Sequence, residues 1–188
     1  MADGERRDRA VLLVPGYVRG HQPLLAFTEV AAVRRGGHPK RIWWTPPEAD
    51  LAALIPWVCD QVRVALDDLA GERPEATRPL LVGKSLGSLA ARVAAERELP
   101  AIWFTPILNN SALVAEYELV TAPRLLVGGT GDEMWDSTVA RQLSPRVLEI
   151  PDADHFMIVP GPLAASGRVL GDVAAAVERF LDDVVWQS

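Results

Sequence analysis

Leu80-Leu81-Val82-Gly83-Lys84-Ser85-Leu86-Gly87 is the stretch on which the fold assignment turns. A short apolar run closed by glycine fits a strand buried on both faces of a sheet. Immediately after it, Leu86, Leu89, Ala90, Val93 and Ala94 recur at helical spacing and make one apolar face. Between strand and helix sits the pattern G-x-S-x-G, which in that context forms a nucleophile elbow. Such an elbow holds its serine in a strained backbone conformation that lifts the hydroxyl clear of the turn. Gly83 and Gly87, lacking Cβ atoms, let strand and helix approach closely. The Leu86 amide, at the helix N-terminus, points where an oxyanion would develop. The five-residue pattern alone matches often by chance, and its placement after an apolar strand is what gives it weight. A plain glycine-bounded turn with a capping serine is the bland alternative. A phosphate loop, G-x-x-x-x-G-K-[ST], is excluded because position 78 is Arg78 rather than glycine.

The same rhythm extends in both directions. Ala10–Val14, Arg41–Thr45, Ala101–Phe104, Arg124–Val127 and Arg146–Ile150 read as further strands. Helical patterns fall at 24–35, from an Asp50 cap to about Ala70, at 110–118, at 134–142 and at 166–185. Six strands alternating with helices predict an α/β fold, a three-layer sandwich with a six-stranded parallel sheet. One domain over 10–188 is expected, preceded by a flexible polar segment, 1–9.

A serine hydroxyl needs a base, and histidine suits that task near neutral pH. Of three histidines, His38 precedes the second strand, at the wrong end of the sheet. His21 follows the first strand and has a loop or substrate-contact role as its alternative. His155, in Asp152-Ala153-Asp154-His155-Phe156, follows the last strand and is the candidate base. An imidazole base in turn needs a carboxylate to fix its tautomer. Asp132 closes Gly129-Thr130-Gly131-Asp132 straight after the fifth strand and is the first candidate. Glu133 and Asp136 are weaker rivals, and Asp152 and Asp154 read as loop or cap residues.

Composition narrows the partners. The 188 residues are 49% hydrophobic and 23% charged, which excludes a disordered or fibrous chain. A net charge of -6 argues against a nucleic-acid binder. The single cysteine, Cys59, has no partner for a disulfide or a zinc cluster. No apolar run reaches the ~18 residues of a membrane span, and residues 1–10 lack a signal-peptide core. A cytoplasmic protein is expected, monomeric or a small homo-oligomer, acting on a small molecule without membrane or nucleic-acid partners.

The order Ser85, Asp132, His155 is that of α/β-hydrolases, and the sequence resembles the small, lidless members of that superfamily over residues 10 to 185. The resemblance implies strand order 2-1-3-4-5-6, without the two antiparallel strands that often begin the fold. It implies that Val14-Pro15-Gly16-Tyr17 matches the family's His-Gly-x segment, with Pro15 in place of histidine. The Tyr17 amide would then join that of Leu86 in an oxyanion hole. Lys84 is a second departure, because many members carry histidine before the serine. Residues 105–122 leave no room for a lid, so an open site is expected. Tyr17, Trp44, Trp135, Phe156 and Met157 lie past strand ends and are the candidate acyl-pocket lining, with Trp43 and Trp103 read as core. The implied activity is ester or thioester hydrolysis through an acyl-enzyme, needing no metal or organic cofactor. Acyl transfer or cyclisation by the same residues, and a non-catalytic binding or regulatory member of the fold, are the alternatives.

Overall fold

A computed structural model describes residues 6–17 and 22–187. Its six strands are β1 (Ala10–Val14), β2 (His38–Arg41), β3 (Leu80–Lys84), β4 (Ala101–Phe104), β5 (Arg124–Gly129) and β6 (Val147–Ile150). They form one sheet in the order β2-β1-β3-β4-β5-β6, and every pairing is parallel. The helices are α1 (Pro23–Val33), α2 (Leu51–Glu72), α3 (Ala91–Glu96), α4 (Ser111–Glu118), α5 (Ser137–Leu143) and α6 (Leu163–Phe180). A 3₁₀ turn, Ser85–Ala90, leads into α3, and a π-helical turn, Leu181–Val185, extends α6.

Alternation along the strands divides the core in two. Leu12, Val14, Leu81, Trp103 and Leu126 face α2 to α5, where Val58, Val62 and Tyr117 pack against them. Val11, Leu13, Leu80, Val82, Ile102, Phe104 and Val127 face α1 and α6. Both faces are apolar because both are covered, which is why these strands read as continuous hydrophobic runs. Among the described residues no helix is long and apolar enough to cross a membrane.

The second strand lies elsewhere than the sequence suggests. Its pairing with β1 runs from Ala10 opposite His38 to Leu13 opposite Arg41. The Ile42 amide still donates to Leu13 O, after which the chain leaves the sheet. Trp43, expected in the core, is 81% exposed beneath the Arg41 guanidinium. As an edge strand β2 needs no apolar run: Lys40 pairs with Glu72 and Arg41 with Glu29. Residues 6–9 belong to the leading stretch expected to be flexible. Arg6 N–H donates to Gly36 O at 2.9 Å, and Arg9 donates to Arg35 O at 2.9 Å with its guanidinium over Trp186. Residues 1–5 and His21 lie outside the described residues.

The motif's glycines are required by contact. A Cβ on Gly83 would meet Gly87 O at 2.5 Å and the Trp103 ring at 2.7 Å, and one on Gly87 would meet Val14 O at 2.4 Å. Backbone cannot yield as a flexible side chain can. Gly87→Ala is therefore expected to lose about 3 kcal/mol of stability, readable by chemical denaturation; an unchanged midpoint would contradict this packing.

Candidate active site

The candidate residues Tyr17, Ser85, Asp132 and His155 gather at the carboxyl ends of β1, β3, β5 and β6, where open α/β sheets place their ligands. Ser85, the first residue after β3, has φ of 51°, a left-handed conformation disfavoured for residues with a Cβ. Two buried side chains hold it there. Ser88 Oγ donates to Ser85 O at 2.6 Å, and Tyr117 Oη donates to Ser88 Oγ at 2.8 Å. Burial pushes the Tyr117 phenol's pKa up, so it stays a protonated donor.

The loops after β5 and β6 are stitched together. Thr130 N–H donates to Ile150 O, Gly131 N–H to Ala153 O, and Asp152 N–H to Thr130 Oγ1 at 2.8 Å. Asp154 Oδ1 accepts from the amides of Phe156 and Ile158 at 2.8 and 2.9 Å, folding the loop into a tight turn with His155 on it. His155 Nδ1 lies 2.7 Å from Asp132 Oδ2, and His155 Nε2 lies 2.8 Å from Ser85 Oγ. An ionised carboxylate only accepts, so Nδ1 carries the proton and Nε2 is left to accept from the serine hydroxyl. Asp132 is 6% exposed, and its second oxygen accepts from Met134 N–H at 3.0 Å.

The other acids are occupied elsewhere. Asp136 Oδ1 caps α5 by accepting from Thr138 and Val139 amides, and Glu133 is exposed. His38 sits at the start of β2, where Arg73 meets its Nδ1 at 3.1 Å.

The pocket candidates separate. Tyr17 is 48% and Phe156 61% exposed, and Phe156 stands edge-on to the His155 ring at 5.9 Å. Trp135 and Met157 are instead buried in the two cores. Trp135 covers Gly128 and donates its indole N–H to Glu149 Oε2 at 2.7 Å, so the chain turns it under the sheet rather than toward the site. Met157 follows the tight Asp154 turn with φ of 61°, which sends its side chain inward. Trp44 reaches the site with a polar atom: its Nε1–H donates to Gly16 O at 3.2 Å, while Trp57 holds its ring at 5.1 Å. Gly16 N–H donates to Gln22 Oε1 at 3.1 Å. A Cβ on Gly16 would sit 3.5 Å from Ser85 Cβ, so this loop lies directly against the elbow.

Ser88 and Tyr117 are the parts missed in the sequence, which also places Trp44 at the site as pocket lining and not as a hydrogen-bond donor to Gly16 O. Ser88 alone leaves a trace there, since a hydroxyl three residues after Ser85 is placed to bond its carbonyl.

No protein-family model matches this sequence, and no curated protein matches it. Solved structures do. An alpha-beta serine hydrolase homologue from Coxiella burnetii superposes with a TM-score of 0.72 at 17% identity, covering 96% of this chain and 88% of that one. The chain has the α/β-hydrolase fold. A lidless α/β serine hydrolase from Xanthomonas campestris matches at TM-score 0.69 and 19% identity, over 96% and 84% of the two chains. Est1E from Butyrivibrio proteoclasticus, with ferulic acid bound, matches at 0.68 and 16%, over 97% and 93%. Among the described residues, β4 and β5 are joined through α4 alone, with no further helix or strand inserted between them.

Proposed function

We propose that this α/β-hydrolase cleaves a carboxylic ester or thioester through an acyl-enzyme on Ser85. The observation that carries the reading is the continuous line from Ser85 Oγ through both His155 nitrogens to Asp132, with spacings of 2.8 and 2.7 Å. Ser85 Oγ attacks the acyl carbonyl as its proton passes to His155 Nε2. Asp132 accepts from Nδ1–H throughout and stabilises the imidazolium. The tetrahedral oxyanion is held by the amides of Leu86 and Tyr17. Collapse expels the alcohol or thiol, which takes the proton from Nε2. Water then enters, gives its proton to Nε2 and releases the acid by the same path.

Trp44 supports the Tyr17 half of that hole. Its bond to Gly16 O fixes the peptide unit whose other pole is the Tyr17 N–H. In a trans peptide the two point in opposite directions, and the described chain has no cis bonds. Trp44→Phe leaves a smaller aromatic ring in place and removes the donor. Turnover is expected to fall ~10-fold with KM nearly unchanged, less than the loss on deleting an oxyanion donor outright. Equal kcat in both proteins would remove Trp44 from the machinery.

The exposed aromatic rim of Tyr17 and Phe156 favours a small apolar acyl or aryl group over a peptide. A panel of chromogenic esters and acyl-thioesters, with fluorophosphonate labelling of the wild type and Ser85→Ala, tests the assignment. A wild type that neither turns over nor labels is a binding member of the fold rather than an enzyme.

A further inference from the structure

Lys84 stands next to the nucleophile, yet it has no part in the steps above. It is 8% exposed, and its Nζ donates to the backbone carbonyl of His155 at 3.0 Å. The ammonium also lies 5.3 Å from the centre of the Phe156 ring, on the charge-attracting face of an aromatic. Its stem crosses the carboxyl edge of the sheet beneath the loop after β1, since a Cβ on Gly16 would be 3.5 Å from Lys84 Cδ. The residue therefore spans from β3 to the loop that carries the base.

We propose that Lys84 is a positioning residue, a clamp that holds the main chain at His155 so that the imidazole stays over Ser85. The proposal rests on the hydrolase reading only for its kinetic consequence. The main chain of the loop after β6 is also held by Asp154, by bonds to the loop after β5 and by Ser166, while the His155 ring itself bridges Asp132 and Ser85. Among the described residues, the bond from Lys84 is the one that ties this main chain to β3, the strand that ends at the nucleophile. A bond with an ionised donor is roughly twice as strong as a neutral one, so the clamp is tightest while Lys84 is charged.

The charge is easily lost. Burial pushes the Lys84 ammonium down to about 8, against the raising effect of the carboxylates that face it, Asp132 from the loop after β5 and Asp154 from the loop after β6. Among the described residues the other titratable neighbour is His155 itself, whose carbonyl accepts the bond. As pH rises through about 8 the donor becomes neutral and the clamp weakens, so turnover falls. Stability moves oppositely. A lysine depressed on folding keeps fewer protons in the folded than in the unfolded state between about 8 and its ordinary 10.5, so its own contribution to stability rises across that window. An alkaline loss of activity in that range is thus separable from unfolding.

The experiment compares wild type, Lys84→Met and Lys84→Arg on a p-nitrophenyl ester across pH 6 to 10, with amide hydrogen exchange at pH 7. Lys84→Met is expected to lower kcat at pH 7 by ~10- to 100-fold with KM nearly unchanged, the scale of a slightly misplaced catalytic group. Lys84→Arg, whose guanidinium stays charged, should restore much of kcat and abolish the alkaline fall near pH 8. The Phe156 and Ile158 amides should exchange faster in Lys84→Met. Wild-type kcat in Lys84→Met, an unchanged alkaline fall in Lys84→Arg, or unaltered exchange would each overturn the clamp. A wild type without turnover on any acyl substrate would remove the hydrolase reading, and the exchange measurement would still decide whether the clamp exists.

Discussion

Ser85→Ala is expected to lower turnover on any acyl substrate by at least ~10³-fold while leaving the fold intact. Deleting Oγ removes the proposed nucleophile, the hydroxyl that lies 2.8 Å from His155 Nε2. What survives is whatever catalysis the oxyanion amides and binding supply alone, typically a small residue of the whole. The substitution is gentle on structure. Alanine keeps the Cβ, so the strain at φ 51° is unchanged, and the carbonyl that Ser88 holds is backbone. Steady-state kinetics beside a circular dichroism spectrum make the test. An alanine variant with wild-type esterase activity ends the serine-hydrolase assignment.

Asp132→Asn carries the second large effect. The carboxylate accepts from His155 Nδ1 with one oxygen and from the Met134 amide with the other. An amide in its place has one oxygen and one NH₂. With the oxygen kept on Met134 N–H, the NH₂ faces Nδ1 and favours the tautomer protonated on Nε2. That tautomer cannot take the serine proton, a defect worth about 10⁴-fold in a well-studied serine protease. Losses of ~10³- to 10⁴-fold are expected in kcat. Asp136→Asn should change little, because asparagine caps a helix about as well as aspartate and this residue caps α5. Glu133→Gln alters an exposed side chain and should be near neutral. Comparable losses in all three variants would mean that the acid has been misassigned.

The central strands were legible because burial on two faces leaves an unbroken apolar run, as in Val11 to Val14 and Leu80 to Val82. The motif after β3 was legible because strand, glycines and serine agree. The edge strand was not. His38 to Arg41 is polar, while the apolar residues that attract the eye, Ile42 to Trp44, lie just beyond it. Apolarity marks a strand only where something covers it. The same ambiguity governs the pocket. Trp44, Trp135 and Met157 all follow strand ends, but the direction of each side chain depends on turns that no periodicity records. Trp44 hydrogen-bonds the loop beside Ser85, Trp135 dives under Gly128, and Met157 is sent inward by the Asp154 turn.

The polar edge has a consequence for encounters between molecules. On β2 the amides of His38 and Ile42 point at β1, and amides along a strand alternate in direction. The outward positions are therefore 39 and 41. Position 39 is proline, which has no amide hydrogen to offer, and position 41 is an arginine. An incoming strand would find half its donors missing and a charge beside the other. Pairing of a second chain along this flank of the sheet is thereby disfavoured, which protects a protein whose central strands are apolar from edge-to-edge association on that side.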